Sequence, residues 1–87
     1  MVGQKRGVKA KVRKAHKTKV GTLLRAARKK KGLVVREVAE STGLSFSTVA
    51  HLETGLEVPT IKTCWLLAKC YRISFSKLVK AVLEDEL

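Results

Sequence analysis

Side chains with the reactivity for catalysis or metal binding are few in this sequence and widely separated. Neither of the two histidines, His16 and His51, has a spacing to a nucleophile and a carboxylate that marks a catalytic site. Cys64 and Cys70 are six positions apart, which on one helix is about 9 Å of axial rise and too far for a mutual disulfide. No Cys-x-x-Cys, paired histidine or glycine-rich phosphate loop occurs. We therefore expect no enzyme activity, no metal and no cofactor, and two buried free thiols.

Hydrogen-bonding side chains are instead concentrated in the segment from Ser45 to Thr54, SFSTVAHLET, which carries one acidic residue and no Lys or Arg. Hydroxyl and imidazole groups on an exposed helix can bond to phosphates or to the edges of bases. The chemistry available to this segment is recognition by hydrogen bonds.

The charge balance favours a polyanionic partner. Nineteen Lys and Arg residues against seven Asp and Glu residues give a formal net charge of +12, which attracts nucleic acid first and an anionic membrane surface second. No apolar run reaches the length of a membrane span, and no apolar core of a signal peptide is present. We expect one domain in the cytoplasm, associated with the nucleoid, with no membrane contact.

Residues 1–19 form a strongly basic segment without a single acidic residue. Such a segment is too polar and too self-repelling to fold alone. We predict a flexible, disordered arm over 1–19 and a folded domain over 20–87. The basic residues of the arm are Lys5, Arg6, Lys9, Lys11, Arg13, Lys14, Lys17 and Lys19.

Five helices are predicted after the arm, because apolar residues recur there with the 3.6-residue period and no strand pattern occurs. Glycines mark the ends of the first three helices, while Ser or Thr residues precede the last three as N-caps. The predicted helices run from 20 to Gly32, over 34–42, over 46–54, over 61–71, and onward from a cap at Ser74 or Ser76. The apolar residues expected on one face of each helix are Val20, Leu23, Leu24, Ala27, Val35, Val38, Ala39, Val49, Leu52, Ile61, Cys64, Leu67, Ala68, Tyr71, Phe75, Leu78, Val79, Val82 and Leu83.

The second and third helices carry the spacing of a helix-turn-helix. Where two short helices cross near a right angle, only a small side chain such as Ala39 fits at the closest approach. The tight corner needs a residue that tolerates positive φ, supplied by Gly43, while Val49 packs beneath the corner. Together with capped helices of suitable length, these three positions predict the layout in which a recognition helix protrudes from a small bundle.

From 20 to 79 the chain resembles the lambda repressor and Cro-like helix-turn-helix domains, also called the XRE family. The resemblance implies an all-α, five-helix lambda repressor-like domain whose third helix lies in the DNA major groove, usually as a dimer on a near-palindromic site. The residues that carry it are Arg28, Lys31, Gly32, Leu33, Glu37, Val38, Ala39, Gly43, Leu44, Ser45, Ser47, Thr48, Val49, Leu52, Glu53, Gly55, Pro59, Thr60, Thr63, Ala68, Lys69 and Ser74.

The same resemblance implies roles for individual residues. It pairs Arg28 with Glu53 in a structural ion pair between the first and third helices, for which a guanidinium fork and a carboxylate are well matched. It assigns contact with DNA to Ser45, Phe46, Ser47, Thr48 and His51. Two alternatives remain at this stage: Phe46 packs on a neighbouring helix or a protein partner, or His51 is an ordinary exposed histidine.

Two positions depart from the family pattern, and both remove contacts to the DNA backbone. Val35 stands where a phosphate-binding Gln is common, and Glu57 lies in a loop that often supplies basic or amide groups. Phosphate contacts must therefore come from elsewhere. The basic arm is the candidate, through phosphate tracking or insertion in the minor groove; a solvated tail that aids solubility is the alternative.

Apolar residues on the fourth and fifth helices suggest a second surface. Exposed apolar side chains on a small domain often mark a partner contact, and a symmetric homodimer is the commonest such assembly. Completion of the core by the fifth helix is the alternative. The residues of this predicted contact are Leu66, Phe75, Val79, Val82 and Leu83.

Three functions follow from these patterns. The first is a sequence-specific regulator of transcription, of repressor type, that binds double-stranded DNA with helix 46–54 in the major groove. The second is a protein-interaction module of the same fold, such as an antitoxin or adaptor, favoured by the apolar residues Val35 and Phe46. The third is RNA binding through the arm, with the globular part as a scaffold.

Overall fold

The computed structural model describes residues 17–87, which form five helices and no strand. The predicted all-α, five-helix class is confirmed. We number the helices α1 to α5 along the chain, and the predicted arm residues 1–16 lie outside the described residues. The helices are α1 (Lys19–Lys30), α2 (Val35–Thr42), α3 (Phe46–Thr54), α4 (Ile61–Tyr71) and α5 (Phe75–Glu86).

Ser and Thr hydroxyl groups open four of the five helices. Each accepts a hydrogen bond from a backbone N–H of the first turn, which would otherwise have no partner, and such a cap stabilises a helix by about 1 kcal/mol. Ser74, not Ser76, caps α5. The four pairs of hydroxyl and N–H are Thr18 with Gly21 (2.9 Å), Ser45 with Thr48 (3.0 Å), Thr60 with Thr63 (3.1 Å) and Ser74 with Lys77 (3.2 Å).

The start of α1 is also capped by the far end of the chain. The carboxylate of Asp85 accepts the backbone N–H of Lys19 at 2.7 Å and that of Val20 at 3.0 Å, while the Lys19 ammonium lies 3.3 Å from Glu84. A carboxylate at a helix N-terminus is favoured by the helix dipole. Lys19, which the sequence analysis assigns to the arm, is therefore the first residue of α1 and part of the folded domain.

The core lies between all five helices and confirms most of the predicted inward residues. One prediction is wrong, because Ile61 of the α4 stripe is 65% exposed; Leu83, which the sequence places either in the core or in a partner contact, is 59% exposed. Ala81, which was not predicted, is buried instead, because α5 turns its 78/81 side to the core and leaves 83 on the flank. The buried residues are Val20, Leu24, Val38, Ala39, Val49, Leu52, Cys64, Leu67, Ala68, Tyr71, Leu78 and Ala81.

Both cysteines are free, as the spacing predicted, but only one is buried. Cys64 lies in the core, where burial raises the pKa of its thiol, while Cys70 is half-buried. Among residues 17–87, no helix is long and apolar enough to cross a membrane.

Candidate nucleic-acid interface

The corner between α2 and α3 is built as a helix-turn-helix. Gly43 ends α2 with φ 81°, in the left-handed region, and its N–H donates to the Ala39 carbonyl at 2.9 Å. Ala39 and Val49 are buried beneath the corner, at 8% and 2% exposure. The small side chain, the left-handed turn and the buried valine thus occupy the positions predicted from the sequence.

The recognition face is our name for the outward side of α3, which consists of Phe46, Ser47, Ala50, His51 and Thr54. Phe46, Ser47 and Thr54 are exposed, and the other two are half-exposed. Val49 and Leu52 are buried on the opposite side and fix the rotation of the helix about its own axis. This side of α3 is therefore open to solvent and carries no Lys, Arg, Asp or Glu.

The Arg28 guanidinium of α1 and the Glu53 carboxylate of α3 form a bidentate ion pair. Nε and Nη2 of Arg28 donate to the two carboxylate oxygens at 2.7 and 3.0 Å, and Nη1 donates to the Leu33 carbonyl at 2.8 Å. Only 12% of the Arg28 side chain and 5% of the Glu53 side chain are exposed. The hydrogen bond to Glu53 raises the pKa of Arg28, and the pair ties α3 to α1.

A buried phenol lies beside this pair. Tyr71 of α4 is 1% exposed, and its hydroxyl has no hydrogen-bond partner among the described residues. Burial raises the pKa of Tyr71, and the negative charge of Glu53 raises it further. The ring fills the core, but the hydroxyl contributes no hydrogen bond there.

Gly21 is a structural residue that the sequence analysis missed. A Cβ at this position would lie 2.7 Å from the Leu52 carbonyl oxygen and 2.8 Å from the Glu53 carbonyl oxygen. Since these are backbone atoms of α3, only glycine lets α1 come this close to the end of the recognition helix. The period of α1 gives no signal of this contact, because it depends on how α3 lies across α1.

His51 has a partner that the sequence did not predict. The loop after α3 folds back, so that the N–H groups of Leu56 and Glu57 donate to the His51 carbonyl. Glu57 Oε2 then lies 3.1 Å from His51 Nδ1. This carboxylate holds the Nδ1 edge of the ring and leaves Nε2 as the ring nitrogen available for another partner.

The hydroxyl groups at the start of α3 differ in their freedom to contact a ligand. Ser45 caps the helix and donates to Thr48 Oγ1 at 2.9 Å, so both side chains are engaged with each other. Ser47 is exposed, and its hydroxyl makes no hydrogen bond within residues 17–87. Of the predicted basic contacts, Lys17 is exposed; Lys5, Arg6, Lys9, Lys11, Arg13 and Lys14 lie outside the described residues.

A second exposed surface lies on α4 and α5. We call Ile61, Trp65 and Leu83 the α4–α5 apolar face; they are 65%, 51% and 59% exposed. Ile61 and Leu83 line a cavity of about 270 Å³, with Pro59 at its edge. Of the residues predicted for a dimer contact, only Leu83 is exposed; Leu66, Phe75, Val79 and Val82 are half-buried.

The aromatic residue of this face is held in place by two neighbours. The Trp65 ring meets the Phe75 ring edge to face, with centroids 5.8 Å apart, and the Lys69 ammonium lies 5.5 Å from the Trp65 ring centroid. Both arrangements are attractive for the indole ring. Within the described range, no group of three or more His, Cys, Asp and Glu residues is arranged to hold a metal ion.

Comparison with known proteins identifies this architecture. Residues 24–78 match the family HTH_3, helix-turn-helix, and this match spans the ion pair, the turn and the recognition face. The chain belongs to the lambda repressor-like (XRE) helix-turn-helix family. The family resemblance predicted from the sequence is confirmed.

Two solved structures share the fold of this XRE-family chain. The crystal structure of SinR, the master regulator for biofilm formation, in complex with DNA has a TM-score of 0.65 and 26% identity, and the alignment covers 69% of this chain and 97% of that one. The clp gene regulator ClgR from C. glutamicum has a TM-score of 0.64 and 23% identity, with coverage of 75% and 84%. A search of curated proteins gives no significant match.

Proposed function

We propose that this protein is a sequence-specific regulator of transcription, of repressor type, which places α3 in the major groove of double-stranded DNA. The observation that carries this proposal is the recognition face, a solvent-accessible surface of hydroxyl, imidazole and apolar groups without Lys, Arg, Asp or Glu, on a helix tied to α1 by the Arg28–Glu53 pair. A helix of this shape fits the major groove, where base edges carry a unique pattern of donors and acceptors. Membership of the XRE family and the likeness to SinR, whose structure contains DNA, support the proposal.

Three side chains are assigned to the bases in this proposal. Ser47 has a free hydroxyl that can donate or accept. His51 presents Nε2, because Glu57 occupies the Nδ1 edge. Phe46 is 56% exposed at the start of α3, and its ring is suited to contact with a thymine methyl group. Thr48 and Ser45, which are engaged in the cap, set the position of the helix start.

The basic arm supplies attraction to the DNA backbone in this proposal, through phosphate or minor-groove contact. Repression then follows from occlusion, because a protein bound over a promoter excludes other proteins from the same duplex. Two copies related by a two-fold axis would read a near-palindromic site. The α4–α5 apolar face, together with the half-buried Phe75, Val79 and Val82, is the surface we assign to this dimer.

Selection of duplexes from a random pool at near-physiological salt tests the proposal. We expect enrichment of an inverted repeat whose half-sites lie about one helical turn apart. Binding without any sequence preference would contradict it, as would a failure to bind duplex DNA. A charge-matched pool of single-stranded RNA distinguishes this proposal from RNA binding through the arm. The RNA hypothesis predicts equal or tighter binding of the RNA pool.

A protein-interaction module of the same fold is the second candidate. Of the two apolar residues predicted for this surface, Phe46 is more than half exposed, whereas Val35 packs against the core and its neighbour Val34 is exposed instead. Exposed apolar residues at helix ends also suit a protein partner. Replacement of Phe46 by Ser distinguishes the two. A DNA regulator loses preference at one base pair of the selected site, whereas an interaction module keeps its DNA behaviour unchanged.

A further inference from the structure

A groove along α1 borders the recognition helix and is not explained by packing or by the ion pair. It has a volume of about 460 Å³ and lies between the exposed side of α1 and the end of α3. The small residues Thr22 and Ala26 leave it open. The residues that line it are Lys17, Thr22, Arg25, Ala26, Lys29 and Glu53.

The groove is positively charged in spite of Glu53. Both oxygens of that carboxylate accept hydrogen bonds from Arg28, and only 5% of the side chain is exposed. Lys17, Arg25 and Lys29 are exposed and have no carboxylate within ion-pair distance among residues 17–87. Three uncompensated cations thus share one open groove.

The arrangement of these cations is not accounted for by the stability of α1. Lys29 lies in the last turn, where a cation interacts favourably with the helix dipole. Arg25 lies in the middle of the helix, and this effect does not reach it. Residues 22, 25, 26 and 29 share one helical face by their spacing of three and four, opposite the buried residues Val20 and Leu24. The chain therefore presents a cationic stripe to solvent.

The groove continues the recognition face along α3. Glu53 follows Ala50 by three positions and Phe46 by seven, so all three lie along the same flank of the helix. A duplex whose bases contact Phe46 brings a phosphate strand past this flank. The usual sources of backbone contact are absent here, because Val35 packs against the core and Glu57 is held by His51.

We propose that this groove binds the phosphate backbone of the DNA duplex that α3 reads. Arg25 offers a planar guanidinium that can hold one phosphate through two bonds, Lys29 and Lys17 act as point charges, and the Thr22 hydroxyl donates a further bond. The site takes phosphodiester groups of a duplex and reads no bases. This inference depends on the proposed function, since it requires α3 to lie against DNA.

The salt dependence of binding tests the groove directly. The double variant Arg25→Gln/Lys29→Gln removes two cations, and Arg72→Gln/Lys77→Gln removes one Arg and one Lys from the corner between α4 and α5, outside the groove. Affinity is measured by fluorescence anisotropy from about 50 to 200 mM salt, on the selected duplex and on a scrambled duplex of the same length. The charge-preserving variant Arg25→Lys/Lys29→Arg completes the set.

The groove variant is expected to weaken binding to both duplexes by the same factor. It should also flatten the slope of log affinity against log salt by about 1.8, which corresponds to two lost phosphate contacts at about 0.9 each. The charge-preserving variant should keep the wild-type slope. The control variant Arg72→Gln/Lys77→Gln should change the slope far less than the groove variant does.

Two outcomes would contradict phosphate binding in the groove while leaving the proposed function intact. One is a groove variant with the wild-type slope on a duplex that the wild type still selects. The other is an equal change in both charge-removing variants, which would mean a general effect of net charge. If the wild type binds no duplex at all, the proposed function fails as well. Urea denaturation followed by Trp65 fluorescence establishes that every variant is folded.

Discussion

The recognition face and the α4–α5 apolar face are both exposed surfaces of short helices in one small bundle, yet they differ in chemistry and in support. The recognition face carries hydroxyl and imidazole groups and no Lys, Arg, Asp or Glu, and α3 is held from beneath by the Arg28–Glu53 pair and the contact at Gly21. The α4–α5 apolar face carries large side chains, and the Trp65 ring contacts the Phe75 ring and the Lys69 ammonium.

The proposed function gives a reason for this difference, because it assigns DNA bases to one surface and a second protein copy to the other. Hydrogen bonds to base edges need a helix fixed to within a fraction of an ångström, because a misplaced donor makes no bond. Apolar contact with another protein surface tolerates adjustment of side chains. We therefore expect the rigid supports to lie under α3, and changes to those supports to affect the recognition face far more than the α4–α5 apolar face.

Glu53→Ala is the strongest way to break this asymmetry. It leaves the Arg28 guanidinium, 12% exposed, without its carboxylate, and an unpaired buried charge of this kind lowers the free energy of unfolding by about 3–5 kcal/mol. Urea denaturation monitored by Trp65 fluorescence measures the loss. The double variant Arg28→Met/Glu53→Leu is the control and should recover much of it; unchanged stability of Glu53→Ala would contradict the role of the pair.

Gly21→Ala tests the close approach of α1 and α3. The added methyl group would press on the Leu52 and Glu53 carbonyls, and we expect the free energy of unfolding to fall by about 1–3 kcal/mol. This loss should appear although alanine favours a helix over glycine by about 1 kcal/mol. Ala26→Gly on the exposed side of α1 measures the propensity effect alone. A more stable Gly21→Ala variant would mean that α3 shifts freely.

Ser47→Ala and His51→Ala test whether the recognition face contacts DNA bases. Each removes a hydrogen-bonding group proposed to contact a base, and we expect about a tenfold or greater loss of affinity for the selected duplex. Stability should stay within about 0.5 kcal/mol, as for other exposed positions. Trp65→Ala serves as the matched change on the α4–α5 apolar face.

Variants of the two faces should affect different measurements, namely base preference for the recognition face and self-association for the α4–α5 apolar face. Ser47→Ala and His51→Ala should relax base preference without any change in oligomeric state, as measured by sedimentation. Trp65→Ala should weaken self-association and leave the preference within one half-site unchanged. If Trp65→Ala altered the preferred bases, or Ser47→Ala altered self-association, the assignment of the two faces would be wrong.

Tyr71→Phe has the smallest expected effect, because the lost hydroxyl is buried and makes no hydrogen bond within residues 17–87. At neutral pH the free energy of unfolding should change by less than about 1 kcal/mol. Burial raises the Tyr71 pKa above the ordinary value of 10.0, so the folded state holds the proton more tightly than the unfolded state. The contribution of Tyr71 ionisation to the free energy of unfolding of the wild type is therefore constant below pH 10. Above pH 10 it lowers that free energy.

The free energy of unfolding, measured as a function of pH, tests whether stability falls above pH 10. The fall above pH 10 that is due to Tyr71 should be missing in Tyr71→Phe. A smaller fall, beginning near the ordinary thiol value of 9.0, should persist in the variant because burial also raises the pKa of Cys64. Identical alkaline profiles for the wild type and Tyr71→Phe would show that the phenol does not contribute.

The sequence alone determined the class of the fold, the order of the helices and most of the residues that begin and end them. These features depend on local chemistry. A hydroxyl group caps a neighbouring N–H, a glycine adopts the left-handed turn at Gly43, and the apolar period assigns most inward residues. The family pattern added the Arg28–Glu53 pair, which spacing within one helix does not reveal.

Only the tertiary structure decided which residues from distant segments meet. Gly21 lies against the Leu52 carbonyl, Asp85 caps the start of α1, and Glu57 holds His51. The helical period also left Ile61 among the core residues, although it lies exposed beside Leu83. A period fixes the angle of a side chain about its own helix axis, whereas burial depends on where the neighbouring helices cross that axis.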